Sequence, residues 1–541
     1  MLQLLCKMGI PSYFSFIVKN HGNIVRKIHR LNKNVDNFYL DSNSIVYDCL
    51  RALEKEYNGN DEQFEKLLIE AVCNKIDEYI KIIKPKKLVF IAFDGVAPVA
   101  KLEQQRNRRY KSYLLTFLKN EFEKQPDKWD KTAITPGTNF MENLANYTKY
   151  YYQNQEKSYN IQKFIVSTSN SPGEGEHKLF GYIRDNKVAH SKEVSMIYGL
   201  DADLIMLALN HLPISKQIYL YRETPEFIKS LNQDLEPNEP YFLDIPKLAQ
   251  TIRQDMNGFG KNSKIQETNR LYDYIFLCFF LGNDFMPHFP SVNIRTGGIH
   301  KVLAAYKNLF GKTDKNLTNG KTIYWSNVKI FAEYLAESEK TNLIDEYNLR
   351  NRWEKRFYPN KTIEDKMKRL DNIPTKERAV EKFIDPERYG WEHRYYKALF
   401  NIDINNYWRK KICMNYLEGL EWTMKYYTTK CSSWTWCYKY DYPPLWKDLV
   451  KYIPSWDTTM IEENNSKPIL PEIQLAYVLP RPSLKLLPTA FYEKLMSDRK
   501  HNYPISCKIH WAFCKYFWES HAELPLIDID DLKELFSNSQ K

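Results

Sequence analysis

The chain has 541 residues, 78 Lys+Arg against 67 Asp+Glu, and a formal net charge of +11 at pH 7. With 43% hydrophobic and 15% aromatic residues it carries enough apolar material to offset chain entropy, which excludes intrinsic disorder; its length suggests roughly two to four domains. An excess of +11 over this length is dilute, so it permits a nucleic-acid partner without showing one.

In chain order, the opening 1–7 has an apolar run too short for a secretory signal. Short runs at 38–40, 87–93, 161–167 and 194–200 are rich in β-branched and aromatic residues and predict strands. Segments with helical spacing lie between them, notably 62–83 and 101–123. Strands separated by helices predict an α/β fold with a mostly parallel central sheet flanked by helices. The best apolar run, Tyr274 to Leu281, falls far short of the ~20 residues of a membrane span and predicts a buried helix. From about 308 to 388 the chain turns polar and charged, and 361–382 predicts a mobile or surface-lying connector. Beyond it aromatic residues crowd together, and Pro punctuation predicts short elements packed onto the first domain. The expected organisation is an N-terminal domain at 8–310, a charged connector at 311–388 and a second region at 389–541. Nine scattered Cys in a chain too large to need staples predict free thiols in a reducing compartment. A soluble intracellular protein without a membrane partner is expected, in the cytoplasm rather than the nucleus.

The informative pattern is where the acids fall. Asp41 directly follows 38–40, Asp94 ends the strand 88–93, and Asp201 and Asp203 follow 196–200. Glu174 and Glu176 lie in the tight turn Ser171-Pro172-Gly173-Glu174-Gly175-Glu176-His177, and Asp284 sits just past the apolar helix. A lone Asp after a strand is usually a turn residue or a helix cap, and a first-turn Glu can simply complement the helix dipole. Five separate strand or helix ends each supplying acid are not readily explained by independent capping. In open parallel sheets ligands bind outside the carboxyl ends of the strands, so these acids can converge on one crevice. Clustered carboxylates stay ionised together only with compensating cations, and hard oxygen ligands suit Mg²⁺ or Mn²⁺ rather than zinc. Two such ions about 3.5–4 Å apart would flank a phosphate.

After Asp94-Gly95-Val96-Ala97-Pro98 comes a basic stretch, 101–111. On a helix, Lys101, Gln105, Arg108 and Arg109 fall on one face. The Arg fork and the Lys point charge suit a phosphate monoester, and Gln adds a neutral donor. The plainer reading is a solvated basic face or a general RNA-contacting patch.

Together these motifs resemble the 5′→3′ exoribonuclease family of eukaryotes, which degrades 5′-monophosphorylated RNA. The matching text includes Met8-Gly9-Ile10-Pro11-Ser12, Tyr39-Leu40-Asp41-Ser42-Asn43, the Asp94 to Arg109 segment, Ile134-Thr135-Pro136-Gly137-Thr138, the Glu174 turn and Tyr198-Gly199-Leu200-Asp201-Ala202-Asp203. It continues through Gly282-Asn283-Asp284, Tyr416-Leu417-Glu418-Gly419-Leu420, Ser433-Trp434-Thr435-Trp436 and 524–528, covering nearly the whole chain in family order. The resemblance implies that Asp41, Asp94, Glu174, Glu176, Asp201, Asp203 and Asp284 hold two Mg²⁺ or Mn²⁺ ions. Lys101, Gln105, Arg108 and Arg109 would form the 5′-phosphate pocket. It also implies a PIN- or flap-endonuclease-like core covered by the second region, and processive release of nucleoside 5′-monophosphates from single-stranded RNA by a monomer.

Three departures stand out. Where the family commonly has His six residues after the first acid, this chain has Tyr47, which can stack on a base but cannot carry the charge. Its stacking partner would be Trp434 or Trp436. Residues 1–7 precede the usual start, which makes Met8 a candidate initiator. The chain also stops soon after Asp528, so a compact form without C-terminal extensions is expected, and its use of Lys, Asn, Ile and Tyr suggests an A/T-rich genome such as that of a large DNA virus or a protist. Two rival readings are a structure-specific flap-type DNA endonuclease and a non-catalytic RNA-binding scaffold. The Ser433 to Trp436 text speaks against the first and the complete acid set against the second. Cys507, His510, Cys514 and His521 match no common zinc spacing.

Overall fold

Seven strands form the central sheet: β1 (Val25–Lys27), β2 (Asn37–Asp41), β3 (Leu88–Ala92), β4 (Lys163–Ser167), β5 (Val194–Tyr198), β6 (Gln217–Glu223) and β7 (Pro240–Asp244). Their order is β1-β7-β6-β5-β2-β3-β4, with the stretch from β6 to β4 parallel and β7 antiparallel to both its neighbours. The computed structural model describes residues 12–122, 128–199, 202–224, 226–230, 232–257, 264–464 and 466–540. Asp201 and the Met8 start lie outside the described residues.

The four predicted strands all form. β3 and β5 are buried throughout and β2 in all but its last residue, because helices cover both faces; β3 therefore reads as an unbroken apolar run, and β2 and β5 as largely apolar ones that also bury Asn37 and Ser195. Their side chains alternate between two cores. Tyr39, Phe90 and Ile197 face one, while Phe38, Leu40, Val89, Ile91, Met196 and Tyr198 face the other. β1, β6 and β7 are additions to the predicted set.

The first core continues without a break into the second region, running from Phe276, Phe280 and Phe285 to Tyr416, Trp422, Tyr426, Tyr427 and Trp446. Phe289 and Trp446 stack at 3.8 Å with their planes 16° apart. The helix Asn406–Thr428 is thus part of the same packed body as the helix Lys264–Phe279. No described helix is long and apolar enough to cross a membrane, and the described cysteines are all free thiols.

The stretch expected as a charged connector contains a 30-residue helix, Trp325–Glu354, followed by the short helices Ile363–Asp371 and Ala379–Ile384. Ile363–Asp371 does lie on the surface, with no buried residue. Pro374, Thr375, Arg378 and Glu381 are buried, however, so the segment is partly internal. Arg350 Nη2 donates to Glu381 Oε1 at 2.6 Å and Arg378 Nε to Glu381 Oε2 at 2.5 Å, two cations sharing one carboxylate. Charges that look solvated in the sequence are here folded inward as a pair network. Glu381→Ala removes the acid shared by two buried guanidinium groups, leaving Arg350 with Glu346 at 3.9 Å and Arg378 with Glu354 at 3.3 Å, and breaking a buried pair costs about 3–5 kcal/mol. A clearly lowered Tm is expected in thermal unfolding; an unchanged Tm would show that the network contributes nothing.

Candidate active site

The acids gather because the parallel strands end at one level. Asp41 closes β2 in register with Ala92, and Asp94 lies two residues beyond β3. β4 leads through a turn to the helix Gly175–Asp185, whose N-cap residue is Glu174. Gly175 lets these segments meet: a Cβ there would stand 2.6 Å from Asp41 Oδ1 and 3.4 Å from Asp94 Oδ1. Its N–H donates to Asp94 Oδ1 at 2.7 Å, and Asn43 Nδ2 donates to Asp94 Oδ2 at 2.9 Å while Asn43 Oδ1 accepts from Asp94 N at 3.0 Å. Lys178 Nζ donates to Phe93 O at 2.8 Å and Thr168 O at 2.9 Å, tying the ends of β3 and β4 together. Burial pushes the Lys178 ammonium down to about 8, against the pull of Asp94 and Asp41.

Lys101 sits inside the acid cluster. Its Nζ lies 2.7 Å from Glu174 Oε1 and 2.5 Å from Asp284 Oδ2, with only 4% of the residue exposed. Burial works against its charge, but Asp284, Glu174, Asp203 and Glu176 outweigh burial and hold it charged. Gln104 Nε2 adds a donor to Asp284 Oδ1 at 3.3 Å. Burial raises the Glu174 carboxyl above its ordinary range; Lys101 opposes this, and Asp94 and Asp284 add to the rise. Asp203 opens the buried helix Ala202–His211. Asp41, Asp94, Glu174, Glu176, Asp203 and Asp284 therefore share one small volume, and the seventh predicted acid, Asp201, falls outside the described residues.

Two groups unmarked in the sequence reach this cluster from the second region. Tyr426 donates its hydroxyl to Glu174 Oε2 at 2.9 Å, and Tyr427 to Asp203 Oδ1 at 2.6 Å. No local spacing announces them, since their partners lie in another part of the chain. His177 stacks on Tyr426 at 3.7 Å, and burial, reinforced by Arg184 and Lys101, pushes its imidazole well below its ordinary range, so it is neutral.

The donor chemistry fits a hard divalent cation. One ligand atom from each of Glu174, Glu176 and His177 lies within 4.8 Å of the others, with both glutamates buried and further carboxylates close to Lys101. That is the one such group among the described residues, so Cys507, His510, Cys514 and His521 do not assemble; His510 pairs instead with Glu523 at 2.9 Å.

The basic helix, Val99–Phe122, divides its charges between two faces. Arg106 Nη1 donates to Pro525 O at 2.8 Å and Lys111 Nζ to Trp518 O at 2.6 Å, a clamp on the C-terminal segment. Arg109 Nη2 donates to Thr135 Oγ1 at 2.8 Å, while its Nη1 is buried with no hydrogen-bond partner. Burial pulls the Arg109 guanidinium down to about 10, partly offset by Tyr47 beside it and deepened by Arg108. Lys131, which the sequence reading did not single out, also faces Arg108: its ammonium is lowered by burial, then by Lys119 and Arg108. Of the four residues predicted for the phosphate face, Lys101 thus stands among the acids, while Arg108 and Arg109 lie beside Tyr47 and Lys131. Gln105 is partly buried on the same helix.

The two candidate stacking indoles differ. Trp436 stacks on Trp422 at 5.3 Å, donates Nε1 to Glu418 Oε2 at 3.2 Å and presses on Gly419, where an added Cβ would meet it at 2.9 Å. Trp434 is held by its backbone: its carbonyl accepts from Val99 N at 2.9 Å and its N–H donates to Ser466 Oγ at 2.8 Å. Its ring is partly buried and contacts no other ring among the described residues.

Acids gathered at the carboxyl ends of a mostly parallel sheet, beside a cationic helix, give the core a PIN-like, nuclease-class architecture. A family profile described as XRN 5′-3′ exonuclease N-terminus matches residues 8–224, and one described as Xrn1 helical domain matches 264–387 and 386–540. The chain belongs to the XRN 5′-3′ exonuclease family. It is 27% identical to 5′-3′ exoribonuclease 2 of Arabidopsis thaliana across 99% of its own length and 67% of that protein. It is likewise 27% identical to the Drosophila melanogaster 5′-3′ exoribonuclease 2 homolog, over 96% of this chain and 70% of the relative. With 5′-3′ exoribonuclease 1 of Saccharomyces cerevisiae it shares 27% identity over 96% of this chain but 42% of the relative.

The close approach at Gly175 gives a direct check. Gly175→Ala forces its Cβ against Asp41 Oδ1 and is expected to weaken Mn²⁺ binding and RNA hydrolysis together while leaving Tm nearly unchanged. Calorimetric Mn²⁺ titration and a hydrolysis assay test this; full activity would show that the acids tolerate displacement.

Proposed function

We propose that the chain is a processive 5′→3′ exoribonuclease that takes single-stranded RNA with a 5′-monophosphate and releases nucleoside 5′-monophosphates. The observation that carries the reading is Lys101. It opens the helix bearing Arg108 and Arg109, and its ammonium lies within the acid cluster. A terminal phosphate held on that helix therefore puts the next phosphodiester against the carboxylates.

Asp41, Asp94, Glu174, Glu176, Asp201, Asp203 and Asp284 would hold two Mg²⁺ or Mn²⁺ ions. Such ions, when bound, activate water and neutralise charge on the scissile phosphate. Arg109, with Nη2 fixed by Thr135 and Nη1 unpartnered, is built to take a phosphate oxygen; Arg108, Gln105 and Lys131 complete the pocket. A pocket sized for a monophosphate excludes capped and triphosphorylated ends. Each cut regenerates the recognised end, which is the basis of processivity. Tyr47, beside Arg109, and Trp434, with its ring unstacked, would sandwich the first base; Trp436 is committed to the Trp422 stack.

Arg109→Ala is expected to lower the preference for 5′-monophosphate over 5′-hydroxyl RNA by about tenfold or more, the worth of one charged hydrogen bond. Paired initial rates on the two substrates read this directly, and an unaltered ratio would reduce the basic helix to a solvated face. Trp434→Ala should weaken RNA binding by about 1–3 kcal/mol, as loss of a stacking platform does. In fluorescence anisotropy, an unchanged affinity would reject the stacking role.

A further inference from the structure

Of the nine buried tyrosines described in the second region, four donate their hydroxyls to backbone carbonyls, while Tyr396 bonds Asp448 and Tyr477 bonds Glu103, both outside the acid cluster. Tyr395 donates to Pro443 O at 2.9 Å and Tyr438 to Tyr442 O at 2.8 Å. Tyr426 and Tyr427 do not: their hydroxyls end on Glu174 and Asp203, two acids contributed by the N-terminal domain. We infer that Tyr426 and Tyr427 are positioning residues that fix Glu174 and Asp203 in their cation-binding orientation, so that the second region completes the metal site. This rests on the metal reading given above.

The contacts divide the carboxylate oxygens between partners. Tyr426 takes Glu174 Oε2, Lys101 takes Oε1, and Tyr427 takes Asp203 Oδ1. Glu174 is thereby held at both oxygens, which fixes the plane of its carboxylate. The phenols themselves cannot swing away. Tyr426 is sandwiched between His177 at 3.7 Å and Trp422 at 4.8 Å, with Phe285 edge-on at 5.5 Å, and Tyr427 packs edge-on to Phe279 at 5.5 Å. Both phenols stay protonated, because burial and the adjacent carboxylates push them well above their ordinary range; they are obligate donors here. A donor behind a metal-binding carboxylate sets its orientation and leaves its remaining lone pairs for the ion, and removing such a partner typically costs 10–100-fold in metal affinity.

The helix carrying these phenols has a second tie to the site. Trp422, four residues before Tyr426, donates Nε1 to Ser433 O at 2.8 Å, and the following loop reaches the start of the basic helix through the bond from Val99 N to Trp434 O. One rigid segment thus touches both the acids and the helix proposed to hold the phosphate.

The test is Mn²⁺ binding to the RNA-free full chain by isothermal titration calorimetry, comparing wild type, Tyr426→Phe, Tyr427→Phe and the remote control Tyr395→Phe. Either site variant should bind Mn²⁺ roughly 10–100-fold more weakly, and the control should match wild type. The half-saturating Mg²⁺ concentration for hydrolysis should rise in parallel, a quantity independent of the folded fraction and so robust if a variant folds poorly. Site variants that bind Mn²⁺ like wild type and need no more Mg²⁺ would overturn the inference. A wild type that binds no Mn²⁺ and hydrolyses RNA in chelator would instead overturn the metal reading beneath it.

Discussion

Carboxylates crowded into a dry cleft repel one another, and everything at this site depends on how that repulsion is met. The fold sets Lys101 between Glu174 and Asp284 and Lys178 toward Asp94 and Asp41, and aims neutral donors at several carboxylate oxygens: Asn43 and the Gly175 N–H at Asp94, Gln104 at Asp284, Tyr426 and Tyr427 at Glu174 and Asp203. Burial, with Asp94 and Asp284 adding to it, still raises the Glu174 carboxyl despite Lys101, and added divalent cations are the natural complement to the clustered acids. The same lysine begins the helix that carries the arginines, so the acidic and basic halves are joined by covalent geometry rather than by chance proximity.

The second region is more than a cover. Its aromatic residues share a core with the sheet's own helices, its phenols bond two of the acids, and its Trp434 carbonyl caps the N-terminal end of the basic helix. Arg106 and Lys111 tie the other face of that helix to the C-terminal segment. A packed interior transmits small displacements instead of absorbing them, so a disturbance in the second region reaches the acids directly.

Much of this was legible in the sequence where local chemistry determines structure. β2, β3 and β5 are covered on both faces and read as largely apolar runs; the acids could be found because parallel strands end together. β1 has three residues and β7 opens with proline at an antiparallel margin, so neither carries a strong pattern. The partly internal course of the charged stretch was hidden for a different reason. Burial of Arg350, Arg378 and Glu381 depends on long-range pairing that composition does not report. Similarly, helical spacing put Lys101, Gln105, Arg108 and Arg109 on one face, but only the fold shows that the first of these turns into the acid cluster while Arg109 meets Thr135. Tyr426 and Tyr427 were visible merely as part of an aromatic-rich stretch.

The most direct test of the account is the product of its action on 3′-labelled, 5′-monophosphorylated single-stranded RNA with Mg²⁺, followed from the first turnover. The geometry predicts nucleoside 5′-monophosphates from the outset, label retained on progressively shorter RNA, and strong resistance of the same RNA bearing a 5′-hydroxyl. Internal fragments as first products, or equal cleavage of both ends, would contradict it.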